Sequence, residues 1–197
     1  INNINLSNLD LNEVEIAHIK GLEEKNNLIL LKEIKNLNLE NIFLINKKEI
    51  TNQIESNNMV EKFRVFKRYP SSINIDIEKT KFLAKINKNG QIFYIGSNGK
   101  FIKNSSLNNE LPFIFGNPEV FEFFKIKEII DKSKISYTEI KNLYFFPSKR
   151  WDLELIDNTI IKLPNDNISL SLNLAIKFID DNKFIDARIK NQIILYD

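Results

Sequence analysis

The sequence of 197 residues contains no cysteine, only one histidine and no long apolar run. Without cysteine the chain cannot form a disulfide, a thiolate nucleophile or a cysteine-ligated metal site. The single histidine, His18, has no second histidine with which to build a metal site or a catalytic pair, so we interpret it as an ordinary structural or surface residue. No stretch approaches the roughly 18 apolar residues that a membrane-spanning helix needs.

Sequence motifs of the common enzyme families are also absent. The chain contains no GxGxxG, P-loop, GxSxG or HExxH pattern, and the SNG at 97–99 has the composition of a hairpin turn. Paired carboxylates such as Asp180 and Asp181 can act in acid–base chemistry only when they are held across a cleft, and on strands and turns they are usually solvated. We therefore predict no catalytic residue, no cofactor, no metal and no small-molecule substrate.

The overall composition is that of a folded protein. Hydrophobic residues make up 43% of the chain and charged residues 27%, and the length suffices for one large domain or two small ones. The net charge of +2 predicts no dedicated nucleic-acid surface. A basic cluster at 62–68, KFRVFKR, has acidic residues in the same region, and we interpret it as a solvated strand face.

The start of the chain reads as a tether. Residues 1–13 are polar and aperiodic. Because the first residue is Ile1 rather than methionine, the chain is either a soluble protein lacking its start or a protein from which an N-terminal anchor has been removed.

Residues 14–80 predict a small module in the order strand, helix, helix, strand, strand. Asn46 is predicted to cap the second helix. Ile73, Ile75 and Ile77 alternate with polar residues, a pattern typical of a strand with one buried face. We expect a three-stranded sheet whose apolar face is covered by the two helices.

Residues 81–197 predict a mostly antiparallel β domain with inserted helices, which makes the fold class of the whole chain α+β. The segment LPFIFG at 111–116 is interpreted as a connector, and Pro118 suits the first turn of the helix that follows. A last amphipathic helix is predicted over 169–178. The final strands are predicted at 184–189 and 192–196.

Two features of this second half favour a binding function. The segment KFIDARIK at 183–190 alternates and lies near the chain end, so it is either an edge strand open to an incoming peptide or a strand between two others. Arg150 precedes the only tryptophan, Trp151, and both residue types are common in binding hot spots. A buried tryptophan beside a surface arginine is the alternative interpretation.

The order of short motifs along the chain resembles the FtsQ/DivIB family of cell division proteins. In the first half these motifs are IKG at 19–21, NIFLI at 41–45, MVEKFRV at 59–65 and KRYPSSINIDIE at 67–78. In the second half they are FYI at 93–95, LPFIFG at 111–116, RWDLEL at 150–155 and IDAR at 185–188. The first half is similar to a POTRA module. Asn158 departs from the family pattern, because it stands where a turn glycine is usual.

This resemblance implies a non-enzymatic scaffold of the division machinery. It implies a single-pass inner-membrane protein whose anchor is absent from this chain, with this portion in the periplasm at the division septum. It also implies FtsB-like and FtsL-like partners, regulation of septal peptidoglycan synthesis, and strand addition by the FtsB tail to the last strands of the β domain. The partner-binding residues predicted on this basis are Arg150, Phe184, Ile185, Asp186, Ala187, Arg188, Ile189 and Lys190.

A second interpretation is another POTRA-bearing protein, such as an outer-membrane assembly or secretion factor. Repeated POTRA units would favour that interpretation, and the sequence shows one. An enzyme ranks third, and a cleft with convergent carboxylates would favour it.

Overall fold

A computed structural model describes residues 15–37, 47–68, 72–103 and 110–196, without the side chains of 15–17. The chain divides into two compact units, residues 1–81 and 82–197. The predicted tether at 1–13 and the predicted cap Asn46 lie outside the described residues. The α+β fold class is confirmed, with a three-stranded unit that carries two helices followed by a unit built on a nine-stranded mixed sheet.

The first unit has the predicted order of strand, helix, helix, strand, strand. Its three strands form one sheet in the order β1-β3-β2, with β1 parallel and β2 antiparallel to the central β3. The elements are β1 (Glu15–Lys20), α1 (Glu24–Lys35), α2 (Lys47–Ser56), β2 (Val60–Arg68) and β3 (Ser72–Lys79).

Alternation on β3 builds the core of this unit, as the sequence predicted. Ile73, Ile75 and Ile77 are buried, while the polar residues between them face away from the helices. Burying each such side chain contributes about 1.5–3 kcal/mol relative to leaving it exposed. The side chains that the two helices supply to the same core are Leu30, Ile34, Ile50 and Ile54.

Gly21 lets the chain leave β1 directly against β3. Its φ is +116°, and a Cβ atom built there would lie 1.7 Å from the carbonyl oxygen of Ile77. Only glycine satisfies both conditions, because it tolerates positive φ and has no side chain to collide with the neighbouring backbone.

The second unit is built on one large mixed sheet. Its described strands follow the order β12-β11-β10-β9-β8-β7-β4-β5-β6, and five of the eight neighbouring pairs are antiparallel. The strands are β4 (Phe82–Lys88), β5 (Gln91–Gly96), β6 (Phe101–Ile102), β7 (Phe113–Phe115), β8 (Ile140–Phe145), β9 (Trp151–Leu155), β10 (Ile160–Lys162), β11 (Phe184–Asp186) and β12 (Ile194–Tyr196). The helices are α3 (Val120–Asp131) and α4 (Ile168–Ala175), and 3-10 turns lie at Tyr137–Glu139 and Ile176–Phe178.

One registered row of side chains carries the core of the second unit. The residues at corresponding positions of β7 to β11 are all 1% exposed or less. They are Ile114, Leu143, Leu153, Ile161 and Ile185. Side chains of α3 and α4, including Phe123 and Leu172, pack on the same core. The opposite face of the sheet carries side chains such as Tyr144, Asp152 and Lys162.

The predicted connector at 111–116 contains a strand, so that prediction was wrong in part. β7 lies between β4 and β8 and is parallel to both. Its three apolar residues show no alternation that would distinguish a strand from a connector. Gly116 then ends β7 at a φ of +93°, where a Cβ atom would lie 2.2 Å from the carbonyl oxygen of Phe145.

Asparagine occupies several positions of this unit at which the backbone φ is positive. Among its described residues, four asparagines adopt this conformation, which favours glycine and which asparagine tolerates better than other residues. They are Asn89, Asn158, Asn167 and Asn191.

The strand predicted at 184–189 ends early. β11 covers Phe184–Asp186 only, because the Asp186 carboxylate accepts a hydrogen bond of 3.1 Å from the backbone N–H of Arg188 and turns the chain out of the sheet. β11 also lies between β10 and β12. Of the two alternatives for this segment, the inner position is therefore the one that the structure shows, and the edge belongs to β12.

Candidate partner-binding site

Strand register places a row of polar side chains on the open face of the large sheet. Asp152 of β9 is the registered partner of Lys162 on β10, and Lys162 is in turn the partner of Asp186 on β11. The row continues to Tyr144 on β8 and to Ile194 on β12. Lys162 on the middle strand thus lies between two aspartates on the strands to either side of it.

Arg188 binds Asp186 in a two-pronged ion pair. Its Nε lies 2.9 and 3.0 Å from the two carboxylate oxygens, and its Nη2 lies 2.5 Å from Oδ2. The Asp186 side chain is 4% exposed, whereas that of Arg188 is 44% exposed. The hydrogen bonds from Arg188 lower the pKa of Asp186, and the same contact raises the pKa of Arg188. The carboxylate is therefore fixed in the sheet while the guanidinium reaches the surface.

Arg150 forms a similar pair with Asp152. Its Nε lies 3.2 Å from Oδ1, and its guanidinium stacks 4.0 Å from the centre of the Phe146 ring. Burial raises the pKa of Asp152, against the opposing effect of Arg150. Trp151 is 3% exposed, so the tryptophan is a core residue and the arginine stacks on Phe146 instead.

The two predicted arginines lie on the same region of the molecule. Their aspartates are on β9 and β11, which β10 separates, so the carboxylates lie about 10 Å apart at the usual strand spacing.

The other predicted residues divide between core and surface. Ile185 and Ala187 are buried in the core, whereas Ile189 and Lys190 are exposed after β11.

β12 forms the edge of the sheet, with no neighbour on its outer side among the residues that the structure describes. Its three side chains Ile194, Leu195 and Tyr196 are 37%, 39% and 50% exposed. Leu195 is the registered partner of the buried Ile185, so it lies on the helix-covered side of the sheet although it is itself partly exposed. Tyr196 packs edge-on against Phe184, with ring centres 5.2 Å apart. Sequence reasoning placed a strand here but not the edge.

A cleft of about 260 Å³ opens beside this edge. It lies between the first turns of α4 and the connection from β11 to β12. Its lining includes Leu170, Leu174, Arg188, Ile189, Lys190 and Ile193. Apolar side chains, two cations and the carboxylate of Asp166 thus line a cleft that reaches Ile193, directly before β12.

The sequence predicted neither a metal site nor a membrane-spanning helix. Among the residues that the structure describes, no group of three or more histidine, aspartate and glutamate side chains could hold a metal ion. Nor is any helix in those residues long and apolar enough to span a bilayer. His18 is an exposed residue of β1.

Two sequence families match adjoining parts of the chain. Residues 11–79 match the POTRA domain, FtsQ-type, and residues 77–190 match the C-terminal domain of cell division protein FtsQ/DivIB. The second match alone covers more than half of the chain. The chain belongs to the FtsQ/DivIB family. FtsQ/DivIB proteins are a non-enzymatic family that acts in cell division.

Individual FtsQ and DivIB proteins are similar over most of the chain. It is 27% identical to cell division protein FtsQ of Rickettsia bellii over 188 residues, which cover 91% of this chain and 70% of that protein. It is 25% identical to cell division protein DivIB of Staphylococcus aureus over 140 residues, which cover 68% of this chain and 32% of that protein. The extracytoplasmic domain of DivIB from Geobacillus stearothermophilus matches 47% of this chain at 10% identity, with a TM-score of 0.36 over 84% of that structure.

Proposed function

We propose that this FtsQ/DivIB chain is a non-enzymatic scaffold of the division machinery that binds an FtsB-like partner by strand addition to β12. The observation that carries the proposal is the exposed edge of β12 beside Arg188 and the cleft. An open edge presents backbone N–H and C=O groups to an extended peptide. β12 spans only three residues, so side-chain contacts must supply much of the specificity.

The two faces of β12 define the chemistry of the incoming segment. A residue beside Leu195 would point toward the helix-covered face and should be apolar. A residue beside Ile194 would point toward the open face, where Arg188 keeps part of its guanidinium exposed. An acidic side chain at that position would bind the arginine with a charge-assisted hydrogen bond.

The remaining parts of the proposal concern the whole protein. The POTRA-like unit would serve recruitment or spacing, and a membrane segment outside this chain would hold the protein in the inner membrane at the septum, with this portion in the periplasm. FtsL-like proteins would join the same assembly, which regulates septal peptidoglycan synthesis. A POTRA-bearing assembly or secretion factor is not favoured, because the FtsQ/DivIB C-terminal family covers residues 77–190.

Hydrogen exchange with and without the tail of the FtsB-like protein from the same organism tests strand addition. Binding should slow exchange of the β12 backbone amides that point away from β11, because these would gain hydrogen bonds from the added strand. Tyr196→Ala should weaken binding without unfolding the protein, since half of this side chain is exposed. Lys177→Glu, at an exposed site after α4, is the matched control and should bind normally. Unchanged exchange in β12 at saturating tail would refute the proposal.

The sheet order decides whether backbone pairing should be blocked in this chain or in the partner. A proline in β11 would disrupt pairing with both β10 and β12 and would destabilise the unit. Strand addition is therefore better blocked in the partner, by methylating the amides of its tail. Such a tail should bind less tightly than the unmodified one if backbone pairing contributes.

A further inference from the structure

A second exposed apolar site lies at the turn between β9 and β10. Ile156 in this turn is 63% exposed, although turn positions usually carry polar residues. The backbone N–H of Ile156 donates a hydrogen bond of 2.9 Å to the carbonyl oxygen of Glu139, which holds the turn against the 3-10 turn that precedes β8. The exposed isoleucine is therefore part of a fixed surface.

This isoleucine borders a groove of about 600 Å³. The apolar floor combines the end of β9, the segment after α3 and the segment after α4. Its residues are Ile135, Leu155, Ile176 and Ile179, of which the first two are buried and the last two half-buried. The exposed Ile156 thus borders a concave surface with an apolar floor, which the apolar side chains of a partner could contact.

The rim of the groove is predominantly acidic. Three carboxylates and one ammonium group line it, from Glu139, Asp157, Asp180 and Lys134. Lys183 neutralises part of this charge, because its Nζ lies 2.5 Å from Asp157 Oδ2. The hydrogen bonds from Lys183 and Thr159 lower the pKa of Asp157 to about 2, so its carboxylate stays charged at acidic pH values where an ordinary aspartate is partly protonated. The exposed Asp181 adds a further negative charge next to Asp180.

We infer that this groove binds a basic amphipathic segment of a partner protein, one that carries branched apolar side chains flanked by lysine or arginine. The apolar side chains would lie on the isoleucine floor, and the cations would meet the carboxylates of Glu139 and Asp180. The partner class follows from charge complementarity, because an acidic segment would be repelled by the rim. This site is separate from the β12 edge and does not depend on strand addition there.

The inference can be tested with two synthetic helical peptides and isoleucine methyl NMR on the full chain. One peptide combines leucine with lysine, and the other replaces every lysine by glutamate. The lysine peptide should shift the methyl signals of Ile156, Ile176 and Ile179, and its affinity should fall as salt increases. The glutamate peptide should leave these signals unchanged.

Substitutions in the groove and outside it show whether the lysine peptide binds at this site. Ile156→Asn should weaken binding of the lysine peptide by about tenfold or more, and Asp180→Lys should weaken it by a similar factor. Phe121→Asn on α3 is the matched control, because this side chain is 55% exposed and lies outside the groove. It should bind normally, as should Tyr196→Ala.

Four outcomes of the peptide and variant experiments would overturn the inference, and a fifth concerns self-association. They are the absence of binding by either peptide, equal binding of both peptides, shifts that map to β12, and affinity unaffected by Ile156→Asn. Self-association that Ile156→Asn abolishes would assign the groove to a second copy of the chain and would also overturn it.

Discussion

Replacing Arg188 should separate the structural role of this residue from its role in binding. In Arg188→Gln the Asp186 carboxylate, which is 4% exposed in the original chain, loses the guanidinium that compensates its charge. Breaking a buried ion pair costs about 3–5 kcal/mol. Because Arg188 is 44% exposed and Asp186 keeps the hydrogen bond from the Arg188 backbone, we expect a loss in the free energy of unfolding of about 2 kcal/mol.

The double variant Asp186→Asn with Arg188→Gln should recover most of that loss. It removes the buried charge together with its partner and keeps side chains of similar size. Binding of the FtsB-like tail should nevertheless stay weak, because the exposed guanidinium is gone. Denaturant unfolding and tail binding, measured on both variants, therefore report on the two roles separately.

Acid provides an independent check on the same pair. Arg188 lowers the pKa of Asp186 in the folded protein, so the pair stabilises the fold above the unfolded pKa of about 3.9. This stability is lost as the pH falls through the folded pKa. The difference between the original chain and Arg188→Gln should thus be largest at neutral pH and small in acid. A difference that stays constant from neutral pH into acid would refute the ion-pair explanation.

Two further predictions concern stability. Gly21→Ala should unfold the first unit selectively, because a Cβ atom there would collide with the Ile77 carbonyl oxygen; hydrogen exchange should show lost protection in α1 and β3 with β8 and β9 unchanged. Glu154 accepts hydrogen bonds from Asn142, Tyr144 and Lys141, which lower its pKa to about 2. Glu154→Gln should therefore cost about 1–3 kcal/mol at neutral pH and progressively less as the pH falls from about 4.5 toward 2, as measured by denaturant unfolding.

The local hydrophobic pattern of the sequence best predicted those elements that have one buried and one polar face. Ile73, Ile75 and Ile77 alternate with polar residues, and the structure buries these three against two helices. The sequence analysis missed β7 because both of its neighbours, β4 and β8, are parallel strands distant in the chain. Its two edges therefore pair only through non-local contacts, which leave no local pattern in the sequence. Sequence pattern reports which residues can form a strand and is nearly silent on which strands become neighbours.

The candidate site shows the same limit. Arg150 and Arg188 could be named from motifs, but the row that joins their aspartates through Lys162 depends on the parallel pairing of β10 with β11. Helix α4 separates those strands in the chain, so no local signal fixes their register. The early end of β11 was missed for a different reason. Alternation continues through Arg188, while the Asp186 side chain bonds to the backbone and turns the chain.

Because asparagine can adopt a positive φ, some turns of this fold can accept asparagine in place of glycine when base composition changes. Glycine codons begin with two guanines, whereas asparagine codons begin with two adenines, and this chain holds only five glycines. Where a turn leaves room for a side chain, as at Asn158, an AT-rich genome can exchange glycine for asparagine at little conformational cost. Gly21 and Gly116 have no such freedom, because backbone oxygens occupy the space that a side chain would need. Under continued mutational pressure, these two codons should be among the last glycine codons to change.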